Sequence, residues 1–299
     1  MPIIIPKDLP AYESLLKEKI FVMDKERAGT QDIRPIEIAI LNLMPTKEET
    51  ETQLVRLLSN SPLQVNVTFI GTVTYKPTHV CSDHMQKFYR SLDEVKNVKF
   101  DGMIITGAPV ETLAFEEVAY WDELVEIMDF ADKNVTSTIY ICWGAQAALY
   151  HHFGIGKSEL PKKMFGVFPT KAVVENDMLL KGMDDVFYIP NSRHTEADQA
   201  AIEKCRRIKI LARSDESGIA IAKTHDNKKF FFMGHAEYDR DTLKKEYLRD
   251  KNKGLPIEKP KNYFIGDTEE VNMSWKSTAN LLFYNWLNYY VYQVTPFEL

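Results

Sequence analysis

The chain has 299 residues, room for one large α/β core or two smaller ones, and its 44% hydrophobic and 27% charged residues are ordinary globular proportions that exclude a long disordered tail. Its formal net charge of −6 argues against nucleic acid as the main ligand, since neutralising phosphates takes clustered Lys and Arg. No apolar run reaches the roughly 18 residues of a membrane helix, the start MPIIIPKDLPAYESLLKEKIF lacks the apolar stretch of a secretory signal, and Cys81, Cys142 and Cys205 form neither a disulfide framework nor a CxxC pair, so a cytoplasmic protein without membrane association is expected.

In chain order, short apolar runs alternate with amphipathic stretches of helical length, the pattern of parallel βαβ units. IEIAILNLM, ending at Pro45, reads as a strand. KEETETQLVRLLSN (47–60) follows as a helix with Leu54, Leu57 and Leu58 on one face. LQVNVTFIG (63–71) and GMIITG (102–107) are the next strands. FEEVAYWDELVEIMDFADK (115–133) then sets Val118, Trp121, Leu124, Ile127 and Met128 at helical spacing, and STIYICWG (137–144) is the fourth strand. From about residue 160 the pattern turns to strands separated by turns: MFGVFPTKAVV, DVFYIP, RIKILARS, GIAIAKT and KKFFFMGH, with turn signals at 215–218 and 226–229. An aromatic helix, STANLLFYNWLNYYVYQ (277–293), closes the chain, readable as a core helix or as a dimer surface. The expectation is a single domain over 1–299: an open parallel sheet with helices on both faces and a β-rich second half.

Cys142 stands where the strand STIYI meets the helix-like WGAQAALYHHF. A nucleophile on such a turn is raised above the sheet edge, at the positive end of a helix, with backbone N–H groups near for an oxyanion. Gly144 helps the backbone make the turn. Position alone leaves open that Cys142 is merely a small buried apolar residue. The second element is Gly234-His235-Ala236-Glu237. Residues two apart on an extended segment share a side, so Glu237 can orient His235, giving the nucleophile, base and orienting group of a triad. A surface His beside a Glu is the plain alternative. The His-x-Glu of zinc deaminases lacks its required Pro-Cys-x-x-Cys here.

Together these signals resemble the class I glutamine amidotransferase superfamily, whose fold is flavodoxin-like. Tyr140 takes the first glycine position of that group's Gly-x-Cys-x-Gly, which speaks against glutamine hydrolysis. A closer resemblance runs through nearly the whole chain. QDIRPIEIAILNLMPTK, LLSNSPLQVNVTFI, FDGMIITGAPVE, VTSTIYICWGAQAALYHHFGI, NSRHTE, GHAEYDRDTLKKEYLRD and LLFYNWLNYYVYQVTP, in that order, resemble the homoserine O-acyltransferases of bacterial methionine synthesis.

That resemblance implies transfer of an acetyl group from acetyl-CoA to the hydroxyl of L-homoserine, with Cys142 as acyl carrier, His235 as base and Glu237 as its orienting acid. It implies substrate contacts at Lys163, Ser192 and Arg249. For each of these three the bland reading is a solvated charge or, at Ser192, a turn cap. It also puts acyl-CoA specificity at Glu111, Glu accompanying acetyl-CoA and Gly succinyl-CoA. A carboxylate there would repel the distal carboxylate of a succinyl group, although Glu111 alone also reads as a helix-start acid. The backbone N–H of Trp143 is the expected oxyanion donor, its indole being packing. Cys81 and Cys205 are read as non-catalytic, and His151-His152 as cationic closure of the helix after Cys142. No metal and no cofactor beyond the acetyl-CoA co-substrate is expected, nor a nucleic-acid partner, and a homodimer is the expected assembly. A homoserine O-succinyltransferase, a non-catalytic amidotransferase-like binding protein, and a hydrolase or amidotransferase are the competing readings.

Overall fold

The computed structural model describes residues 3–31, 33–74 and 82–295. Among them are the strands β1 (Ile3–Ile4), β2 (Val22–Met23), β3 (Ile36–Leu41), β4 (Val65–Ile70), β5 (Tyr89–Arg90), β6 (Phe100–Ile105), β7 (Val135–Ile141), β8 (Lys157–Ala172), β9 (Phe187–Ala197), β10 (Ile208–Ser214), β11 (Gly218–Thr224) and β12 (Lys229–Phe232). They join in one sheet ordered β2-β1-β4-β3-β6-β7-β12-β11-β10-β8-β9, with β5 paired to β4 off that path. From β2 to β12 neighbouring strands are parallel. From β12 to β9 they are antiparallel.

Both faces of the parallel part are covered, as its near-continuous apolar strands require. Successive side chains point to opposite faces. Ile38 and Ile40 of β3 therefore pack in one core with Leu54 and Leu58 of the helix Lys47–Leu58, while Ala39 and Leu41 pack in the other with Leu124 and Ile127 of the helix Trp121–Asn134. The expected architecture, a parallel sheet flanked by helices with a β-rich second half, is what the chain forms.

The boundaries shift for local reasons. The helix expected from Phe115 is only a 3-10 turn at Phe115–Glu117, Val118 is extended, and the α-helix begins at Trp121. This break lets Phe115 fold back onto Trp121, with ring centroids 5.3 Å apart. The strand expected over 137–144 ends at Ile141, because Cys142 leaves the extended region. The aromatic C-terminal segment is a core element. After the helix Lys276–Asn285 it widens into a π-helix, Trp286–Tyr292, in which Trp286 and Leu287 are fully buried. Gly102 of β6 makes the space, since a Cβ there would lie 2.7 Å from the Trp286 ring. Trp286 Nε1 donates to Ser137 Oγ at 2.9 Å, satisfying the indole's one polar atom.

The placement of β12 matters most for the site. Although it belongs to the β-rich half, it inserts beside β7, parallel to it, with Phe232 opposite Ile141. The residues that follow both strands therefore emerge at the same edge of the sheet.

Candidate active site

Cys142 is the first residue past β7 and adopts φ 50°, ψ −113° before the helix Trp143–Phe153 starts. A non-glycine residue in that region carries about 1–3 kcal/mol of strain and persists only where neighbours over-determine it. Here the Cys142 N–H donates to the carbonyl of Phe232 at 2.7 Å, and its own carbonyl accepts from Gln146 N–H at 3.1 Å. Gly144 is obligatory for the same turn: a Cβ would meet the carbonyl oxygens of Thr106 at 2.6 Å and Ile105 at 3.0 Å. Tyr140 points to the opposite face, where it stacks on Phe231 at 5.8 Å, so a large ring at that position leaves the turn undisturbed. The Trp143 indole packs against Tyr120 and Phe115 on that same face, and its backbone N–H stands at the helix start.

His235 lies three residues past β12. Gly234 before it passes so close to Ile189 and Pro190 that a Cβ would sit 2.6 Å from each. The His235 N–H donates to the Pro190 carbonyl at 2.8 Å, and the ring stacks on Tyr238 with centroids 4.1 Å apart. Nδ1 is 2.7 Å from Glu237 Oε1. A carboxylate only accepts, so Nδ1 carries the proton and the other ring nitrogen is left for a reacting group. Burial works to lower the imidazole's pKa, but charge attraction to the Cys142 sulfur and then to the Glu237 carboxylate outweighs it and holds the pKa well above the ordinary value. A Cβ on Gly107 would lie 3.4 Å from Cys142 Cβ and 3.5 Å from His235 Cε1, so this glycine keeps the space beside sulfur and ring open.

The pair faces a cleft of about 730 Å³, which Glu111, Lys163, Ser192, Glu246 and Arg249 also line. The plain readings of Lys163 and Ser192 do not hold. Lys163 Nζ is 2.7 Å from Glu246 Oε1 and 3.6 Å from Asp250 Oδ2, and Ser192 Oγ, on β9 and not in a turn, donates to Glu246 Oε1 at 2.9 Å. Arg249 Nε donates to Asp250 at 2.7 Å. That bond, ahead of the charge attraction, raises the guanidinium's pKa and lowers that of the Asp250 carboxyl. The sequence reading missed Glu246 and Asp250. The signal for them was their spacing on the helix Thr242–Asn252, which places Glu246, Arg249 and Asp250 on one face.

Glu111 is not a helix-start acid. It sits in the loop after β6, ahead of the first helical turn, and its Oε2 accepts from Thr195 N and Thr195 Oγ1, each at 3.2 Å. Lys157 donates to the carbonyls of Glu111 and Leu113, which secures the loop backbone.

Elsewhere, His151 and His152 do end the helix Trp143–Phe153, but burial pushes His152 down to about 4, so it is neutral at pH 7 and does not supply the cationic closure expected of it. Cys205 is a free thiol packed at the edge of a core, and Cys81 lies outside the described residues. Lys47, which the sequence reading passed over, is 7% exposed. Burial brings its pKa down to about 8 against the opposing pull of Glu51, and its ammonium donates to the Asn42 carbonyl. Among the described residues no His, Cys, Asp and Glu side chains gather in threes to hold a metal, and no helix is long and apolar enough to cross a membrane.

Comparison with known proteins supplies the context for this geometry. The family model described as homoserine O-succinyltransferase matches residues 2–297. The homoserine O-acetyltransferase of Clostridium acetobutylicum is 58% identical over 301 residues, covering 100% of both chains. That of Geobacillus kaustophilus is 57% identical over 300 residues, covering 100% of this chain and 99% of its own. Among solved structures, a glutamine amido transferase from Methylobacillus flagellatus superposes with a TM-score of 0.56 at 12% identity, covering 86% of this chain and 95% of its own. A glutamine amidotransferase from Thermotoga maritima gives a TM-score of 0.51, also at 12% identity, covering 74% and 84%. At such identity the likeness is one of fold.

Proposed function

The chain belongs to the homoserine O-succinyltransferase family, and from that premise we propose that it transfers an acetyl group from acetyl-CoA to the side-chain hydroxyl of homoserine through a thioester on Cys142. The observation that carries the mechanism is the strained turn at Cys142, which shares one cleft with a His235 that Glu237 orients and with Glu111.

In the first half-reaction the Cys142 sulfur attacks the acetyl carbonyl, and the oxyanion falls to the backbone N–H of Trp143 at the helix start. The C–S bond to CoA breaks, and the CoA sulfur leaves with the proton that His235 holds. One thioester replaces another, so the acyl group remains activated. In the second half the homoserine hydroxyl gives its proton to His235 and attacks the thioester carbonyl, and Cys142 leaves as thiolate. General-base help of this kind contributes about 10²–10⁴-fold.

Homoserine enters as a zwitterion with one hydroxyl. Arg249 meets its carboxylate with two parallel donors, and Glu246, held by Lys163 and Ser192, meets its ammonium. Glu111 selects the donor, because a second carboxylate beside it in a confined cleft is repelled while an acetyl methyl is not. The family's description names succinyl transfer, so the donor is the point to test. Initial rates of one preparation with acetyl-CoA and with succinyl-CoA should favour acetyl-CoA, and Glu111→Gly should move the preference toward succinyl-CoA. A native protein faster with succinyl-CoA would reverse the donor assignment while leaving the thioester mechanism standing.

A further inference from the structure

Glu111 lies in a half-exposed loop, and a free glutamate there keeps considerable rotamer freedom. A carboxylate able to swing into water would neither fill the acyl site nor present a fixed charge, so donor selection requires that it be held. We infer that Thr195 and Gln146 are the positioning residues that hold it, making them further determinants of acyl-CoA specificity; the inference rests on the donor reading of Glu111.

Thr195 is 1% exposed on β9, and both its N–H and its hydroxyl reach Glu111 Oε2 at 3.2 Å. Gln146 is 3% exposed and holds Thr195 from behind: Nε2 donates to the Thr195 carbonyl at 3.2 Å, and Oε1 is 2.9 Å from Thr195 Oγ1. A hydroxyl has one proton and here has two acceptors, Glu111 Oε2 and Gln146 Oε1. The backbone N–H is thus the constant donor to Glu111, the hydroxyl proton is shared, and the two Gln146 contacts fix the segment that carries both. Gln146 also donates its own N–H to the carbonyl of Cys142, so the group that screens the acyl tail is tied, through two side chains, to the turn that carries the sulfur.

The nearly isosteric Thr195→Val removes the hydroxyl alone, and Thr195→Ser restores it. The readout is the ratio of kcat/KM for acetyl-CoA to that for succinyl-CoA. Thr195→Val should lower the ratio by about tenfold, the effect of one hydrogen bond to a charged group. Thr195→Ser should return it to within about twofold of the native value. In a Glu111→Gly background, Thr195→Val should leave the ratio where Glu111→Gly alone puts it, since nothing remains to be held. Equal losses with both donors, an unmoved ratio, or the same shift in the Glu111→Gly background would reduce Thr195 to a packing residue and overturn the inference. If Glu111→Gly itself leaves the ratio unmoved, the donor reading fails and the inference with it. If Glu111→Gly moves the ratio while Thr195→Val does not, only the inference fails.

Discussion

At the scale of single residues, the proposed chemistry moves protons between buried groups, Cys142 and His235. Replacing Cys142 with Ser keeps a nucleophile at the turn but forms an oxygen ester in place of a thioester, and turnover should fall by more than about 10³-fold. Native protein incubated with labelled acetyl-CoA and no homoserine should retain label, and Cys142→Ala should not; label that never appears on the native chain would rule out the thioester. His235 also makes a thermodynamic prediction. Because its native pKa is raised, its contribution to stability is complete below about 6.5, the unfolded value, and is lost as pH climbs toward the native one. Denaturant midpoints of His235→Asn should therefore decline less than native ones above pH 6.5. Lys47 has the opposite sign. Its pKa is lowered to about 8 by burial, so a penalty of at most about 3 kcal/mol is present below pH 8 and is relieved as pH rises toward 10.5. Native protein should gain stability relative to Lys47→Met between pH 8 and 10, and parallel profiles would show that the ammonium is not desolvated as described.

At the scale of elements, the turn between β7 and its helix is the most constrained piece of backbone. Gly144→Ala forces a methyl against the Thr106 and Ile105 carbonyls, and since main chain yields little, about 1–3 kcal/mol of stability should be lost along with activity. A variant that melts and turns over like the native chain would contradict this close approach. The helix Thr242–Asn252 illustrates how an element that lines the cleft hides in a sequence. Its polar, charged face reads as a solvated surface, yet Glu246 and Asp250 turn out to be partners of Lys163, Ser192 and Arg249. Nothing in periodicity distinguishes a carboxylate that meets water from one that meets a lysine on a strand some eighty residues earlier.

At the scale of the whole molecule, the C-terminal segment packs across the sheet and closes the core that holds Ile38, Ile40, Leu54 and Leu58. Trp286→Ala should cost about 3–5 kcal/mol through the cavity it opens over Gly102, read as a lower urea midpoint with an unchanged donor ratio; a changed ratio would tie this packing to the cleft. The same long-range assembly decided the questions that the sequence left open. From the sequence alone came the alternation of strands and helices, the elbow at Cys142, the spacing of His235 and Glu237, and the family, because hydrophobic period and short motifs are local properties of a chain. Only the tertiary structure decided that β12 leaves the β-rich half to lie parallel beside β7, that Glu111 is pinned by Thr195 and not spent on a helix start, and that the aromatic tail is core. Each of these depends on which distant surfaces bury one another, a free energy that belongs to pairs of segments and is written in neither segment by itself.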